Sequence, residues 1–415
     1  NKLNVNEHKK LKTQDLLKNS VTQAIHQNAR RYRLNRVQEM LCSNDCAAIL
    51  LFDPINIRYA TDTSNMQVWT LHNPERYALV FANGPVVLWE FRNCENLHDD
   101  QVLVDEVRTA VSWSYFFAGE RSSELIQTWA EELIDVLKDH GENNLNLAID
   151  HADFFGVKLL QEHGINIVEG HSLMENARKI KSIDELELMR WSIEVCQKGI
   201  QRMYDETRPG ITENELWAWL HFENIAHGGE WIETRLLSSG QRTNPWMQES
   251  SNKILKSGEM VCFDTDLIGP YGYCADISRT WTVDHEKPTM RQRKLYNLAY
   301  DQIHVNMELL KPGLSYKEFS DQAWHIPQEY YENRYCCIAH GVGMADEYPL
   351  IAHSGDDYNR SGYDGIFQEN MVMCVESYIG EKGGSEGVRL EQQIVITTNG
   401  CEVLSTYPWE ETWLL

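Results

Sequence analysis

The 415-residue sequence predicts an α+β protein of two domains, covering residues 1–178 and 179–415. Up to residue 178, short apolar runs alternate with amphipathic helices, which is typical of an α/β domain. Beyond it, helices with well-marked starts are followed by several β segments. The length also exceeds that of a usual single domain.

The N-terminal elements follow from local patterns. The stretch "CAAILLFD" is an apolar run that predicts a buried strand. In "RYALVFANGPVVLWEF", two β runs flank Asn83-Gly84, which predicts a hairpin. "SSELIQTWAEELIDVLKDHG" predicts an amphipathic helix that Gly141 closes. The predicted elements are strand 46–53, hairpin 76–91, helix 122–141, and strands 145–150 and 165–170.

The C-terminal part opens with a charged connection and a helix over residues 175–200. Capping boxes of the form S/T-x-x-E predict the starts of three long helices. The boxes pair Ser182 with Glu185, Thr212 with Glu215, and Ser315 with Glu318. The β segments are predicted at 259–267, 273–283, 371–379 and 387–397, the last turning back at Asn399-Gly400. The glycine-containing segment 353–365 is either a lid or an ordinary surface insertion.

The composition disfavours nucleic acid and membranes as partners. The formal net charge of −24 disfavours nucleic acid and anionic membrane surfaces as partners. No apolar run is long enough to span a bilayer, and the polar N-terminus predicts no signal peptide. The ten cysteines form no CxxC pair, which disfavours a zinc ribbon and favours a reducing cytoplasm.

Three aspartates crowd the stretch "FDTDLIGPYGYCADISRT". Asp264 and Asp266 are two apart, so on a continuous strand they share a face. A turn at Gly269-Pro270 would bring Asp276 alongside them. Taken singly, each of these acids is explained by a salt bridge or an edge strand, but their crowding calls for a shared partner.

Two further acids, Glu376 and Glu391, lie inside apolar strand patterns, and His340 lies in a glycine-containing stretch. Buried carboxylates are costly without compensation. Arg279 and Arg389 are candidate partners for two of the five acids, which leaves three. A bound cation would compensate the rest. An oxygen-rich set with one imidazole suits iron(II), manganese, cobalt or zinc.

These motifs resemble the methionine aminopeptidase/prolidase/creatinase superfamily, whose metal site takes two aspartates, a histidine and two glutamates in that chain order. The matching stretches are "ARKIKSIDELELM", "GYCADISRTW", "AHGVG", "CVES" and "EGVRLEQQIVIT". The resemblance covers roughly residues 175–405 and implies a pita-bread catalytic domain. The preceding part resembles the creatinase/prolidase N-terminal domain. The resemblance also implies a homodimer.

Three positions depart from the peptidase pattern. Thr265 stands where the first metal aspartate is expected, eleven residues before Asp276, and acids flank it on both sides. Glu347 stands where the peptidases carry a histidine seven residues after the metal histidine. Trp246 and Met247 stand where another histidine is expected. These departures predict chemistry other than peptide hydrolysis.

With "HGVGMADEYP" and "NMQVWTLHNPERYALVF", the pattern resembles the DddP-type dimethylsulfoniopropionate lyases, a metal-dependent branch of the superfamily. The resemblance implies cleavage of dimethylsulfoniopropionate to acrylate and dimethyl sulfide, with iron as the metal. It implies Asp346 as the base that removes the α-proton, and Trp69 and Tyr335 as residues of the substrate pocket. It implies six metal ligands: Asp264, Asp266, Asp276, His340, Glu376 and Glu391.

Two alternatives stay open at the level of sequence. One is an Xaa-Pro metallopeptidase or another hydrolase of a small zwitterion, which the retained metal residues favour and the missing histidines disfavour. The other is a non-catalytic binding module on the same fold, which the full ligand set disfavours.

Overall fold

The computed structural model describes residues 16–415. Among these residues no helix has both the length and the apolar character needed to cross a membrane. The described chain forms two compact units, residues 23–185 and residues 16–22 with 186–415. The architecture is α+β, as the sequence predicts.

The N-terminal unit contains a six-stranded mixed sheet of order β4-β3-β2-β1-β5-β6. Its strands are β1 (Ala48–Leu51), β2 (Tyr77–Phe81), β3 (Val86–Glu90), β4 (Glu106–Thr109), β5 (Asn146–Ile149) and β6 (Asn166–Glu169). Its helices are α1 (Gln23–Ser43), α2 (Pro54–Thr61), α3 (Gln67–Thr70), α4 (Tyr115–Ala118), α5 (Ser122–His140), α6 (Phe154–Glu162) and α7 (His171–Arg178).

The predicted N-terminal elements are present. The β2–β3 hairpin turns at Asn83-Gly84, and β1 pairs with β2 on one side and β5 on the other. Helix α5 ends against Gly141, where a Cβ would approach the Leu137 carbonyl oxygen to 2.5 Å. The core of this unit lies between α5, α6 and one face of the sheet, around Trp89 and Trp129.

The C-terminal unit is built on an eight-stranded sheet in which β14-β13-β15-β16-β12-β9-β8 are neighbours and β17 pairs with β16. A smaller sheet has the order β11-β10-β7. The strands are β7 (Trp231–Ile232), β8 (Leu237–Ser239), β9 (Met260–Asp264), β10 (Leu267–Ile268), β11 (Cys274–Ala275), β12 (Ser278–Thr282), β13 (Ala339–Val342), β14 (Asp346–Ile351), β15 (Val372–Ile379), β16 (Val388–Ile396) and β17 (Cys401–Val403).

The helices associated with this part are α8 (Ile183–Glu206), α9 (Glu213–Ala226), α10 (Met290–Leu309), α11 (Tyr316–Gln322), α12 (Gln328–Tyr331) and α13 (Asp356–Ser361). All three predicted capping boxes form. The box at Ser315, however, starts a helix of only 7 residues, so the prediction of a third long helix there is wrong. The third long helix is instead α10, which a Thr289–Gln292 capping box starts.

The predicted strand 259–267 is also interrupted. Strand β9 ends at Asp264, and Asp266 takes a left-handed backbone with φ of 37° before β10 begins. Aspartate is among the few residues that tolerate this region. The prediction that Asp264 and Asp266 share the face of one continuous strand is therefore wrong, because the chain turns between them. The second predicted strand, 273–283, is likewise divided into β11 and β12.

Candidate metal centre

Strand register brings the first group of acids together. Glu376 on β15 pairs with Glu391 on β16, Glu391 pairs with Ser278 on β12, and Ser278 pairs with Asp264 on β9. These residues form a continuous row across four neighbouring strands. Side chains directly opposite one another in a sheet lie on the same face. The pairing therefore places three carboxylates from distant parts of the sequence in one row.

The break after β9 adds two more acids. Asp266 donates its backbone N–H to Asp276 Oδ1 over 3.3 Å, and Thr234 Oγ1 donates to Asp266 Oδ2 over 2.6 Å. Asp276 lies between β11 and β12, and its backbone N–H donates to Gln393 Oε1 over 3.0 Å. The turn at Gly269-Pro270 returns the chain so that β10 and β11 pair antiparallel, as predicted.

Thr265 connects the two halves of this hairpin. Its Oγ1 donates to the Ala275 carbonyl over 2.8 Å and accepts from the Ile277 N–H over 2.9 Å. The residue that stands in the expected ligand position is thus occupied with backbone hydrogen bonds. The acids on either side of it, Asp264 and Asp266, supply the carboxylates instead.

His340 faces this group from β13. Its Nε2 lies 3.0 Å from Glu376 Oε1, 3.5 Å from Asp276 Oδ2 and 3.6 Å from Glu391 Oε1. Its Nδ1 lies 2.9 Å from the Gly341 carbonyl oxygen, which fits an N–H donor at Nδ1. That tautomer leaves the Nε2 lone pair directed at the carboxylates, as a metal ligand requires.

Arg389 is the one cation that the described structure places among the acids. Its guanidinium is fully buried, donating from Nη2 to Asp264 Oδ2 over 2.6 Å and from Nη1 to Glu376 Oε2. Nη2 also lies 3.2 Å from Glu391 Oε2. The other predicted partner, Arg279, contacts no ligand carboxylate and instead donates to backbone carbonyls and to Gln392.

The acids are charged unequally. Burial is the largest influence on the pKa of Asp264 and raises it, but the Arg389 guanidinium and the polar side chains of Asp276 and Glu391 together lower the pKa to about 2. Burial and the neighbouring acids raise the pKa of Asp266, Asp276 and Glu391 well above the ordinary range. Arg389 therefore compensates the carboxylates that it contacts, and among the described residues Asp266 and Asp276 are left without a cationic partner of this kind.

The six residues fit a divalent cation. All are 7% exposed or less. Three buried oxygens, Asp264 Oδ1, Glu376 Oε1 and Glu391 Oε1, make no hydrogen bond within the described part of the chain. Buried carboxylate oxygens need partners, and a cation between them would supply one. Donor atoms within 4.8 Å of one another form two groups, one of Asp264, Asp266 and Asp276, the other of Asp276, His340, Cys374 and Glu391.

Two further predicted residues lie beside this centre. Asp346 begins β14, with its Oδ1 3.8 Å from His340 Nδ1, and its side chain is 52% exposed. Burial on its inner side raises its pKa to about 7, Asp266 and Asp264 add to the rise, and His340 opposes it. The Tyr335 ring packs against the Arg389 guanidinium, whose Cζ lies 4.0 Å from the ring centroid.

Trp69, the remaining predicted residue, belongs to the N-terminal unit. It lies on α3 with its ring edge-on to Phe91 and Phe117, at centroid distances of 5.7 and 6.1 Å. Its role in substrate binding stays a prediction. Trp246, which has no predicted role in the site, also lies near Arg389, with its ring centroid 5.8 Å from Arg389 Cζ.

Comparison with known proteins agrees with these observations. The metallopeptidase family M24 model matches residues 187–398, more than half of the chain. The chain belongs to metallopeptidase family M24. The creatinase/prolidase N-terminal domain model matches residues 33–180.

Individual relatives show which branch of the family the chain belongs to. The chain is 40% identical over 389 residues to dimethylsulfoniopropionate lyase DddP of Roseovarius nubinhibens, covering 92% of this chain and 87% of the relative. It is 39% identical to the protein of the same name from Roseobacter denitrificans, covering 92% and 86%. An Xaa-Pro dipeptidase from Bacillus anthracis has a similar structure, with a TM-score of 0.73 at 20% identity over 92% of this chain and 99% of that one. The chain therefore belongs to the DddP branch of the M24 family, and the dipeptidase shares its fold.

Proposed function

We propose that this chain is a metal-dependent lyase that cleaves dimethylsulfoniopropionate to acrylate and dimethyl sulfide. The observation that carries the proposal is Asp346, a carboxylate beside a cation-binding group, in a chain 40% identical to relatives named for this reaction.

Six residues, here called the cage, would hold the cation: Asp264, Asp266, Asp276, His340, Glu376 and Glu391. When bound, a divalent cation supplies a Lewis acid for the substrate carboxylate. Arg389 holds the outer oxygens of Asp264 and Glu376, and so leaves their inner oxygens for the cation.

Asp346 is the proposed base. It takes the proton from the carbon next to the substrate carboxylate, the C–H electron pair becomes the new C=C bond, and the C–S bond breaks to release dimethyl sulfide. The sulfide leaves as a neutral molecule, so no general acid is needed. In the metal-free protein the pKa of Asp346 is raised to about 7, chiefly by burial, and a value in this range suits a general base.

Aromatic rings are proposed to bind the sulfonium. Cation–π attraction contributes about 0.5–2 kcal/mol for each ring, depending on desolvation. One face of Tyr335 already packs on Arg389, so its hydroxyl, edge or opposite face is left for substrate. Trp69 is the second proposed ring, by resemblance to the lyases.

A headspace assay tests the proposal. Metal-loaded protein should release dimethyl sulfide from dimethylsulfoniopropionate, and Asp346→Asn and Asp346→Ala should each reduce the rate by about 10²–10⁴-fold with unchanged metal content. Equal metal content is the control that separates loss of the base from loss of the cage. Metal-loaded parent protein that releases no dimethyl sulfide would refute the assignment.

Peptide hydrolysis is the second candidate, since the fold is shared with an Xaa-Pro dipeptidase. Two positions argue against it. The buried Glu347 stands seven residues after His340, where the peptidases carry a histidine, and Trp246 and Met247 stand where the other histidine is expected. Cleavage of an Xaa-Pro dipeptide at a rate matching dimethyl sulfide release would favour this candidate.

Three finer properties complete the proposal. We propose iron(II) as the cation, since five carboxylates and an imidazole suit it and the lyase resemblance implies it. We propose a cytoplasmic location, since all ten cysteines are free in the described chain. We propose a homodimer, which the exposed aromatic side chains Phe116 and Phe154 of the N-terminal unit favour. Metal analysis, cell fractionation and sedimentation equilibrium test the three in turn.

A further inference from the structure

A cysteine lies against the metal centre. Cys374 is on β15, two residues before Glu376, so both side chains are on the same face of the strand. It pairs directly with His340 on β13 and is fully buried. Its sulfur belongs to the group of donor atoms that lie within 4.8 Å of one another, together with those of Asp276, His340 and Glu391.

This group differs in chemistry from the other one. Asp264, Asp266 and Asp276 offer oxygen alone, whereas the second group offers two oxygens, one imidazole nitrogen and one sulfur. Oxygen donors suit hard cations, and thiolate selects soft ones such as zinc and cadmium. Asp276 belongs to both groups.

We propose that Cys374 Sγ is a metal ligand on the His340 side of the centre, which makes that side selective for softer divalent cations than the three-aspartate side. The inference rests on the metal-binding part of the proposed function and is independent of the substrate.

The four donor atoms already lie within 4.8 Å of one another. Zinc–sulfur bonds are about 2.3 Å and zinc–nitrogen bonds about 2.0–2.1 Å, so two ligands of one ion can be about 4 Å apart. The Cys374 sulfur lies 3.8 Å from the Asp276 backbone oxygen, to which the thiol donates a weak hydrogen bond. A cation bound here would form a metal–sulfur bond in place of that hydrogen bond, and the thiol proton would be released to solvent.

Cys262 is a matched control. It is also fully buried, and it also precedes a predicted ligand, Asp264, by two residues on a strand. Its thiol donates to the Gly387 carbonyl over 3.3 Å and accepts from Thr280 Oγ1 over 3.2 Å. It belongs to neither group of donor atoms. The two cysteines thus differ in access to the centre while sharing burial and strand position.

The test replaces the metal with cobalt(II), because a cobalt–thiolate bond gives an intense near-ultraviolet charge-transfer band that oxygen and imidazole ligands do not give. We expect the band in the parent and in Cys262→Ser, and its loss in Cys374→Ser with cobalt still bound. Zinc X-ray absorption should show a sulfur shell at about 2.3 Å in the parent. Cys374→Ala serves if the serine variant does not fold.

A cobalt-loaded parent without the band, or a band that persists in the Cys374 variants, would overturn the proposal. Protein that binds no cobalt would overturn it together with the metal-dependent function. Absence of dimethyl sulfide from protein that shows the band would overturn the lyase proposal alone.

Discussion

Arg389 connects the stability of the C-terminal unit to metal binding. Its guanidinium is fully buried between Asp264 and Glu376, and its Nη2 lies 3.2 Å from Glu391. Replacing it with Met keeps much of the volume and removes the charge. Breaking a buried ion pair typically costs about 3–5 kcal/mol, because the remaining charge is left uncompensated. We expect Arg389→Met to lower the unfolding free energy of chelator-treated protein by this amount.

A bound cation changes the expected loss. The bound cation compensates the charge of the carboxylates. The variant then loses mainly the hydrogen bonds from Arg389 to Asp264 and Glu376, and hydrogen bonds of charged groups contribute about 1.5–3 kcal/mol. The difference between the two losses is about 1.5–2 kcal/mol. By linkage, the same difference must appear in binding. Arg389→Met should therefore bind the cation about 10–30-fold more tightly than the parent.

Urea unfolding with and without manganese, together with competition against a fluorescent chelator, measures both quantities. Arg389→Lys is the matched control, because it keeps the charge but cannot bridge Asp264 and Glu376 with a planar fork. We expect the lysine variant to fall between the parent and the methionine variant. Equal unfolding midpoints for chelator-treated parent and Arg389→Met, or weaker cation binding by the variant, would refute the reasoning.

Three further predictions concern other parts of the molecule. Asp62 accepts a hydrogen bond from the Arg33 guanidinium. Burial acts to raise the pKa of Asp62, but His26 and Arg33 lower it to about 2. Asp62→Asn should cost about 2 kcal/mol of unfolding free energy above pH 4, and this difference should disappear as the pH falls from about 4 to about 2; a loss that is independent of pH would contradict it. Thr265→Val should cost about 2–4 kcal/mol by leaving two buried backbone groups unpaired, whereas Thr265→Ser should retain its stability in the same urea assay. A hydrogen bond from Cys337 lowers the pKa of Cys336 to about 7 against the effect of burial, so iodoacetamide should label Cys336 with a rate that rises through pH 7, and a rate that is flat between pH 6 and 8 would contradict this.

Strand alternation and chain order made much of the metal centre predictable. Glu376 and Glu391 stand out because acids interrupt apolar strand patterns, and the structure pairs them directly. The predicted turn at Gly269-Pro270 also forms. Strand alternation is not what brings Asp266 close to Asp264, since the backbone turns left-handed after β9 and a period-two pattern cannot show that turn. An alternating pattern predicts which side chains share a face of a strand, but it does not predict the residue at which the strand ends.

Other features left weaker signals. The capping box Thr289–Gln292 was readable in the sequence and would have located α10. Arg389 and Glu391 are two residues apart on β16, so a shared face was predictable, but the choice between Arg389 and Arg279 was not. Arg279 faces Trp409, with its Cζ 3.9 Å from the ring centroid. Arg279 and Trp409 are far apart in the sequence, so a local sequence pattern cannot predict that they are in contact.

The glycine after His340 shows how the fold sets the orientation of the His340 imidazole. The β13–β14 pairing shifts register between His340 and Gly341, and a Cβ at Gly341 would approach the Tyr348 carbonyl oxygen to 2.5 Å. Only glycine allows β14 this close. The same irregularity places the Gly341 carbonyl oxygen 2.9 Å from His340 Nδ1, which directs Nε2 to the acids. The first residue of β14 is Asp346, so one close strand approach orients the His340 imidazole, a proposed ligand, and positions the proposed base. The proposed cation site and the proposed base are therefore parts of a single backbone feature, and a change at Gly341 should disturb metal binding and proton transfer together.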